Sequence, residues 1–328
     1  EQTDPVTNRT DGLLTRLSRK GQFPKVMHVN TSAEYANLAA ALIHVSPDGR
    51  TDSPIPDNVR VYHLAGTHHG GGALPLGNRV FSNAAAYYNN SIDYRPLLRA
   101  AFRNLDAWVT EGKDPPPSRY PRLSSGTLVD PGVVRDAAAR LPGPGMPLQR
   151  LYPTQRLHYG PESGRGLATN IPPVDGGAYP ELLPAVDDDV NEVSGVRHPD
   201  VAVPLATYTG WNPRHPEIGG SEMNLLLNGA TIPFARTLEE RRRSGDDRPS
   251  IQERYETRRV FLDRIRRAAV QLAREAYLLE SDVEAVVEAS GQRYDQFMRL
   301  EGPLPSASLS PTSEEDNNGG HRRGYPRA

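Results

Sequence analysis

Two short segments carry residue types in an order that suits acyl-transfer chemistry. Lys25-Val-Met-His-Val-Asn30 reads as a strand and runs straight into Thr31-Ser-Ala-Glu34-Tyr35. Further along, Val59-Arg-Val-Tyr-His-Leu-Ala-Gly66 reads as the next strand and runs into Thr67-His68-His69-Gly70. An acid just past one strand and a histidine just past the next is the order of the last two members of a Ser…Asp/Glu…His triad. In such a site the serine oxygen attacks a carbonyl, and the histidine takes its proton and later returns it to the leaving group. The carboxylate fixes the imidazole tautomer and stabilises its charged form. Both residues must then sit on loops at the C-terminal edge of a parallel sheet, where ligands also gather. Glu34 and His69 meet that requirement, with His68 as the alternative base because the two histidines are adjacent.

Each residue also has a plainer reading. Glu34 suits a capping carboxylate at the start of a short helix after Thr31 or Ser32, and His69 suits a turn residue in a Gly-rich loop. Asp48, Asp52 and Asp57 are rival acids, but Asp48 belongs to the Ser46-Pro-Asp-Gly49 turn and Asp57 to the loop before a strand. His28, His44 and His63 lie on or beside the strands and read as core or flanking residues. No H-E-x-x-H or similar spacing points to zinc, and Gly70-Gly-Gly72 is not followed by the Gly-Lys-Ser/Thr of a phosphate loop. Neither a metal nor a cofactor is expected. Tyr87, Tyr88 and Trp211 suit either a pocket wall or packing.

These residues need a scaffold, and the chain supplies one unevenly. Leu13, Leu14 and Leu17 share a face over 11–20, with Asp11 as N-cap and Gly21 as C′ residue, which predicts a helix leading into the first strand. After Glu34, the small apolar residues of 35–43 fit a short helix or a buried turn. The clearest helix spans 94–112, with Pro96 in its first turn and Leu97, Leu98, Ala101, Leu105 and Trp108 as its apolar stripe. From 113 to about 249 the chain is dense in Pro and Gly with few regular periods, the signature of a cover wrapped over a core. Capping-box patterns at Ser250/Glu253 and Ser281/Glu284 introduce C-terminal helices. Phe261, Ile265, Ala268, Leu272, Ala276 and Leu279 follow helical spacing, with Arg264, Arg266, Arg267 and Arg274 on a solvated face. The Ser/Pro/Asp/Asn/Gly mixture after 302 is too polar to order itself. The expected division is therefore 1–112 for sheet and helices, 113–249 for the Pro-rich cover, 250–301 for the C-terminal helices and 302–328 for a disordered tail.

Composition narrows the partners. The 328 residues include 38 Lys and Arg against 40 Asp and Glu, a formal charge of −2. Neither sign dominates, which argues against a nucleic-acid or anionic-membrane binder. There is no cysteine, so neither disulfides nor thiol catalysis is available. No apolar run reaches the ~18 residues of a membrane span. The start, Glu1-Gln-Thr-Asp-Pro5, has no initiator Met and no signal-peptide pattern.

Several motifs in order carry a resemblance. Pro24-Lys-Val-Met-His-Val-Asn-Thr-Ser-Ala-Glu-Tyr35 and Asn58-Val-Arg-Val-Tyr-His-Leu-Ala-Gly-Thr-His-His69 resemble a bacterial family usually called the α/β-hydrolase domain family. Further matches are Pro115-Pro-Pro-Ser-Arg-Tyr-Pro121, Asn191-Glu-Val-Ser-Gly195, 199–211 and Ile232-Pro-Phe-Ala-Arg-Thr237. The resemblance covers residues 4–297. It implies an α/β fold and a hydrolase acting on carboxylic esters, with Glu34 and His69 in the acid and base positions and a small-molecule ester as substrate. Family members usually have Gln at the position of His68 and a larger residue, often Trp, at that of Ala36. The family pattern also includes a Gly-x-Ser-x-Gly turn upstream of the acid, and this chain has none. Its nearest approaches, around Ser221 and Ser163, lack one or both glycines and follow the histidine. The expectation is therefore the C-terminal part of an α/β-hydrolase fold, with the nucleophile in a missing N-terminal half where any secretory signal would also lie. A non-catalytic binding protein of the same fold and an inactive fragment are the alternatives.

Overall fold

The computed structural model describes residues 1–4, 8–80, 83–147 and 154–300, together with 302, 304 and 305. The tail expected from 302 falls almost wholly outside the described residues. At the centre lies a three-stranded parallel sheet in which Val59–Ala65 pairs with Val26–Thr31 on one side and Val196–Arg197 on the other. The register sets Val26 against Val59 and Thr31 against Leu64, so the two long strands end together. That common end places the segments bearing Glu34 and His69 side by side.

The central strand is buried along nearly its whole length, as befits a parallel strand covered on both faces. Its second flank is completed by the Pro115–Pro121 motif. Ser118 Oγ accepts from Val61 N at 3.0 Å, and Arg119 exchanges backbone hydrogen bonds with Val61 and His63. Val26–Thr31 is the outer strand among the described residues, and Val26 to Asn30 are only half-buried.

Helices cover one face. Arg95–Thr110 buries Leu97, Ala100 and Trp108, while Arg258–Arg274 buries Phe261, Ile265, Ala269 and Leu272. Val283–Phe297 completes the layer, and Tyr62, Leu64 and Val196 of the sheet join this cluster. The Trp108 ring also carries Lys25 Nζ at 4.5 Å from its centroid, a cation–π contact that ties the helix to the start of the outer strand. The Ser250/Glu253 capping box forms. The one expected at Ser281/Glu284 does not: Asp282 precedes the helix without a side-chain cap, and Glu284 instead pairs with Arg266 at 2.8 Å. The helix expected over 11–20 is a single turn, Thr15–Ser18. Leu13 and Leu17 are exposed there and Leu14 is only half-buried; with so little tertiary packing, so short a helix does not propagate.

Much of the Pro-rich segment over 182–234 is buried in spite of its irregularity, whereas 154–181 holds no buried residue. It contributes Val196–Arg197 to the parallel sheet, and Ala206–Tyr208 and Ala230–Pro233 to an antiparallel sheet that also takes in Tyr88–Asn89. Tyr87 and Trp211 are core residues in edge-to-face contact at 6.3 Å. Buried asparagines satisfy much of the backbone that regular structure would otherwise pair. Asn90 Nδ2 donates to Gly66 O and Thr209 O, and Asn37 Nδ2 donates to Ala33 O and Gly210 O. Asn224 Nδ2 donates to Asn37 Oδ1 and its own Oδ1 accepts from Asn212 N.

Gly210 marks where this cover presses on the short helix after the outer strand. A Cβ there would lie 2.1 Å from Ser32 C and 2.2 Å from Ser32 O, which are backbone atoms with nowhere to go. Gly210→Ala should therefore cost about 1–3 kcal/mol of stability, read as a lower denaturation midpoint. An unchanged midpoint would mean that the cover does not bear on the helix.

Candidate active site

The helix Ser32–Leu38 begins the moment the outer strand ends. Thr31 is its N-cap, and Glu34 occupies the third helical position, so the pair forms a capping box. Glu34 Oε2 accepts from Thr31 N at 2.6 Å and from the Thr31 hydroxyl. Its other oxygen, Oε1, lies 2.6 Å from His69 Nδ1. The capping role and the pairing with histidine are thus met by one carboxylate, one oxygen for each. An acceptor-only carboxylate at Nδ1 assigns the proton to that nitrogen.

His69 itself is held by its backbone. Its N–H donates to Leu227 O at 3.4 Å, and its carbonyl accepts from the Tyr94 hydroxyl. Leu227 sits in the left-handed region at φ 57, an uncommon conformation for a bulky residue and one that tends to be kept near functional sites. The His69 side chain is 62% exposed while that of Glu34 is 15% exposed. The imidazole therefore stands at the surface with its buried side oriented. Among the described residues, nothing hydrogen-bonds to its Nε2. A ring with Nδ1 tied to a carboxylate and Nε2 presented outward can accept a proton at Nε2 from a neighbouring hydroxyl.

His68 is turned away from this pair. Its Nδ1 lies 3.2 Å from Asn228 Oδ1, and its Nε2 is buried without a hydrogen-bond partner. Burial lowers its pKa, the Asn228 contact opposing that shift. Of the rival acids, Asp48 caps its own turn through Ser46 Oγ at 2.6 Å, and Asp52 accepts from the backbone of Leu123 and Ser124. Ser163 and Ser221 are exposed, and neither bonds to His69.

A second constellation lies beneath. Glu192, from the cover, accepts at Oε2 from Ser32 Oγ, Gly66 N and His63 Nε2. The sequence singled out Asn191–Gly195 as a motif without assigning a task to Glu192. Tyr94, which holds the His69 carbonyl, was legible only as the start of a helix. His28 is half-buried on the outer strand, whereas His44 and His63 are fully buried. Tyr35 Oη lies 2.7 Å from His44 Nε2, and the Tyr35 ring meets that of His63 at 4.6 Å.

A family model described as Alpha/beta hydrolase domain matches residues 1–288. The chain belongs to this family. No curated protein and no solved structure gives a significant match. Membership makes a hydrolase-type function the general expectation, and the mixed helix and strand architecture is in keeping with the α/β hydrolase domain. Among the described residues no helix is long and apolar enough to cross a membrane.

The buried His44 gives this hydrolase domain an acid sensitivity. Burial, assisted by the nearby His63, pushes its pKa down to about 4 against partial opposition from Asp52. An unfolded chain would protonate the same ring near 6.5. Between those values the unfolded state holds the extra proton, so stability is full above about pH 6.5 and is lost as pH falls toward 4. His44→Gln should flatten that slope by up to about 1.4 kcal/mol per pH unit. An unaltered pH dependence of unfolding in the variant would remove His44 as its source.

Proposed function

We propose that this chain carries the acid and base of a serine-dependent carboxylic ester hydrolase. Glu34 orients the imidazole and stabilises its charged form. His69 is the general base through Nε2, and the nucleophilic serine and the oxyanion hole come from a segment upstream of this chain. The observation that supports the reading best is the 2.6 Å contact between Glu34 Oε1 and His69 Nδ1, with Nε2 exposed and uncommitted. It stands at the common C-terminal edge of two parallel strands, where ligands of open α/β sheets collect.

In the reaction the serine hydroxyl would give its proton to His69 Nε2 as its oxygen attacks the ester carbonyl. The imidazolium, steadied by Glu34, would then protonate the departing alcohol, leaving an acyl-enzyme. Water, deprotonated by the same nitrogen, would release the acid and restore the serine. The capping bonds on Glu34 Oε2 serve this cycle by preventing the carboxylate from rotating away as the ring changes charge.

A fluorophosphonate probe followed by mass spectrometry tests where the nucleophile lies. The expected result is no adduct on this chain and a single serine adduct on the full-length protein, abolished by His69→Ala. An adduct within residues 1–328 that depends on His69 would overturn the upstream placement. Saturable ligand binding by the full-length protein with neither adduct nor turnover would point to a binding protein instead. In the full-length enzyme His69→Ala should lower kcat by about 10⁴–10⁶, and wild-type turnover in that variant would end the assignment. Glu34→Gln should separate the two duties of the carboxylate. Gln retains the capping box, so the melting temperature should hardly move, while kcat falls by about 10⁴ as the wrong tautomer is favoured.

A further inference from the structure

We infer that Glu192, supplied by the Pro-rich cover, is a positioning residue for the Glu34–His69 pair. The inference rests on the reading of that pair given above. Three donors converge on a single oxygen, Oε2: Ser32 Oγ at 2.6 Å, Gly66 N at 2.8 Å and His63 Nε2 at 2.8 Å. The Ser32 hydroxyl in turn accepts from Gly66 N at 2.8 Å and from Thr67 N at 3.3 Å. Ser32 opens the helix that carries Glu34, while Gly66 and Thr67 open the loop that carries His69. The carboxylate therefore stitches together the two strand ends from which the dyad projects.

The surroundings make this stitch stiff. His63 is fully buried and the Glu192 side chain is 10% exposed, so water competes little for these bonds. Asn191 fixes the backbone beside Glu192, donating to Ala206 O at 3.0 Å and accepting from Tyr208 N at 2.8 Å. Gly195 closes the motif at φ +94, where a Cβ would fall 2.5 Å from His63 O. The buried Nδ1 of His63 has no hydrogen-bond partner, so the ring is held in this cluster through Nε2. Glu192 Oε2 is met by three hydrogen bonds, a strong arrangement for a buried carboxylate when every donor is in place. Removing the acceptor leaves the Ser32 hydroxyl and His63 Nε2 buried without it, and the two strand ends lose their common anchor.

The measurement is the tautomer of His69 in this chain, read from the ¹⁵N shifts of its ring nitrogens at about pH 8, above the usual imidazole range. It needs no nucleophile. In the wild type the proton should reside on Nδ1, and Glu34→Ala supplies the reference for a ring without its carboxylate. Glu192→Gln and Ser32→Ala should each move the shifts at least half of the way to that reference. A residue that only supports the fold would lower the melting temperature and leave the tautomer as it is. If folded Glu192→Gln and Ser32→Ala both keep the wild-type shifts, the inference is overturned; Ser32→Ala alone decides if Glu192→Gln does not fold. Full-length enzyme that survives His69→Ala would sink the hydrolase reading whatever the shifts do. An inactive His69→Ala with unmoved shifts would sink the role of Glu192 alone.

Discussion

Everything at the candidate site depends on how one carboxylate divides its two oxygens. Glu34 Oε2 closes the N-terminus of the Ser32–Leu38 helix, and Oε1 meets His69. A free carboxylate rotates about its last bond; one whose first oxygen is committed to a helix cap presents the second in a fixed direction. The favourable field at a helix N-terminus adds to this by steadying the negative charge. The element that starts the helix is thus the same element that aims the acid. Because the two parallel strands end in register, the histidine loop arrives at the height where that second oxygen points.

Around this pair the protein uses little regular structure and a good deal of side-chain amide. Asn37, Asn90, Asn191, Asn212 and Asn224 are all buried and hydrogen-bond well-separated segments to one another, through backbone groups or each other's side chains. An amide offers both a donor and an acceptor, so a few of them complete the backbone bonding of irregular chain in the interior. Cover and core become continuous by this means, since Asn37 stands on the helix that carries Glu34 and Asn224 on the cover. Glu192 does the same with charge instead of dipoles.

The sequence showed what is local and repeated. Strands read over 25–30 and 59–66 are observed as Val26–Thr31 and Val59–Ala65, and the helix read over 94–112 as Arg95–Thr110. Glu34 and His69 were legible because their positions follow from those strands and a few residues of loop. The two readings of Glu34, as cap and as partner of histidine, looked like rivals in the sequence because spacing says nothing of which oxygen does what. The helix over 11–20 failed for the opposite reason: its pattern was sound, but an amphipathic face forms a helix only against a surface to bury it. The Pro-rich segment was legible as irregular chain carrying family motifs, but not as a contributor to the sheets. Its contribution of Val196–Arg197 to the sheet is two residues long, and the tie made by Glu192 spans 160 residues to Ser32 and 126 to Gly66. No local period encodes such a contact.

That disparity in span bears on how the site is assembled in time. Glu34 and His69 are 35 residues apart, within one helix–strand repeat, whereas Ser32 and Glu192 are separated by 160. On a simple chain-closure estimate the longer loop costs about 1.3 kcal/mol more entropy to close, before the intervening Pro-rich chain is folded at all. The chemical pair is therefore a short-range contact of the kind that forms readily, and its fastening is a long-range one that waits for the cover. By that measure acid and histidine can meet before their strand ends are pinned. The least regular part of the chain thus supplies the fastening whose loop is the costlier of the two to close.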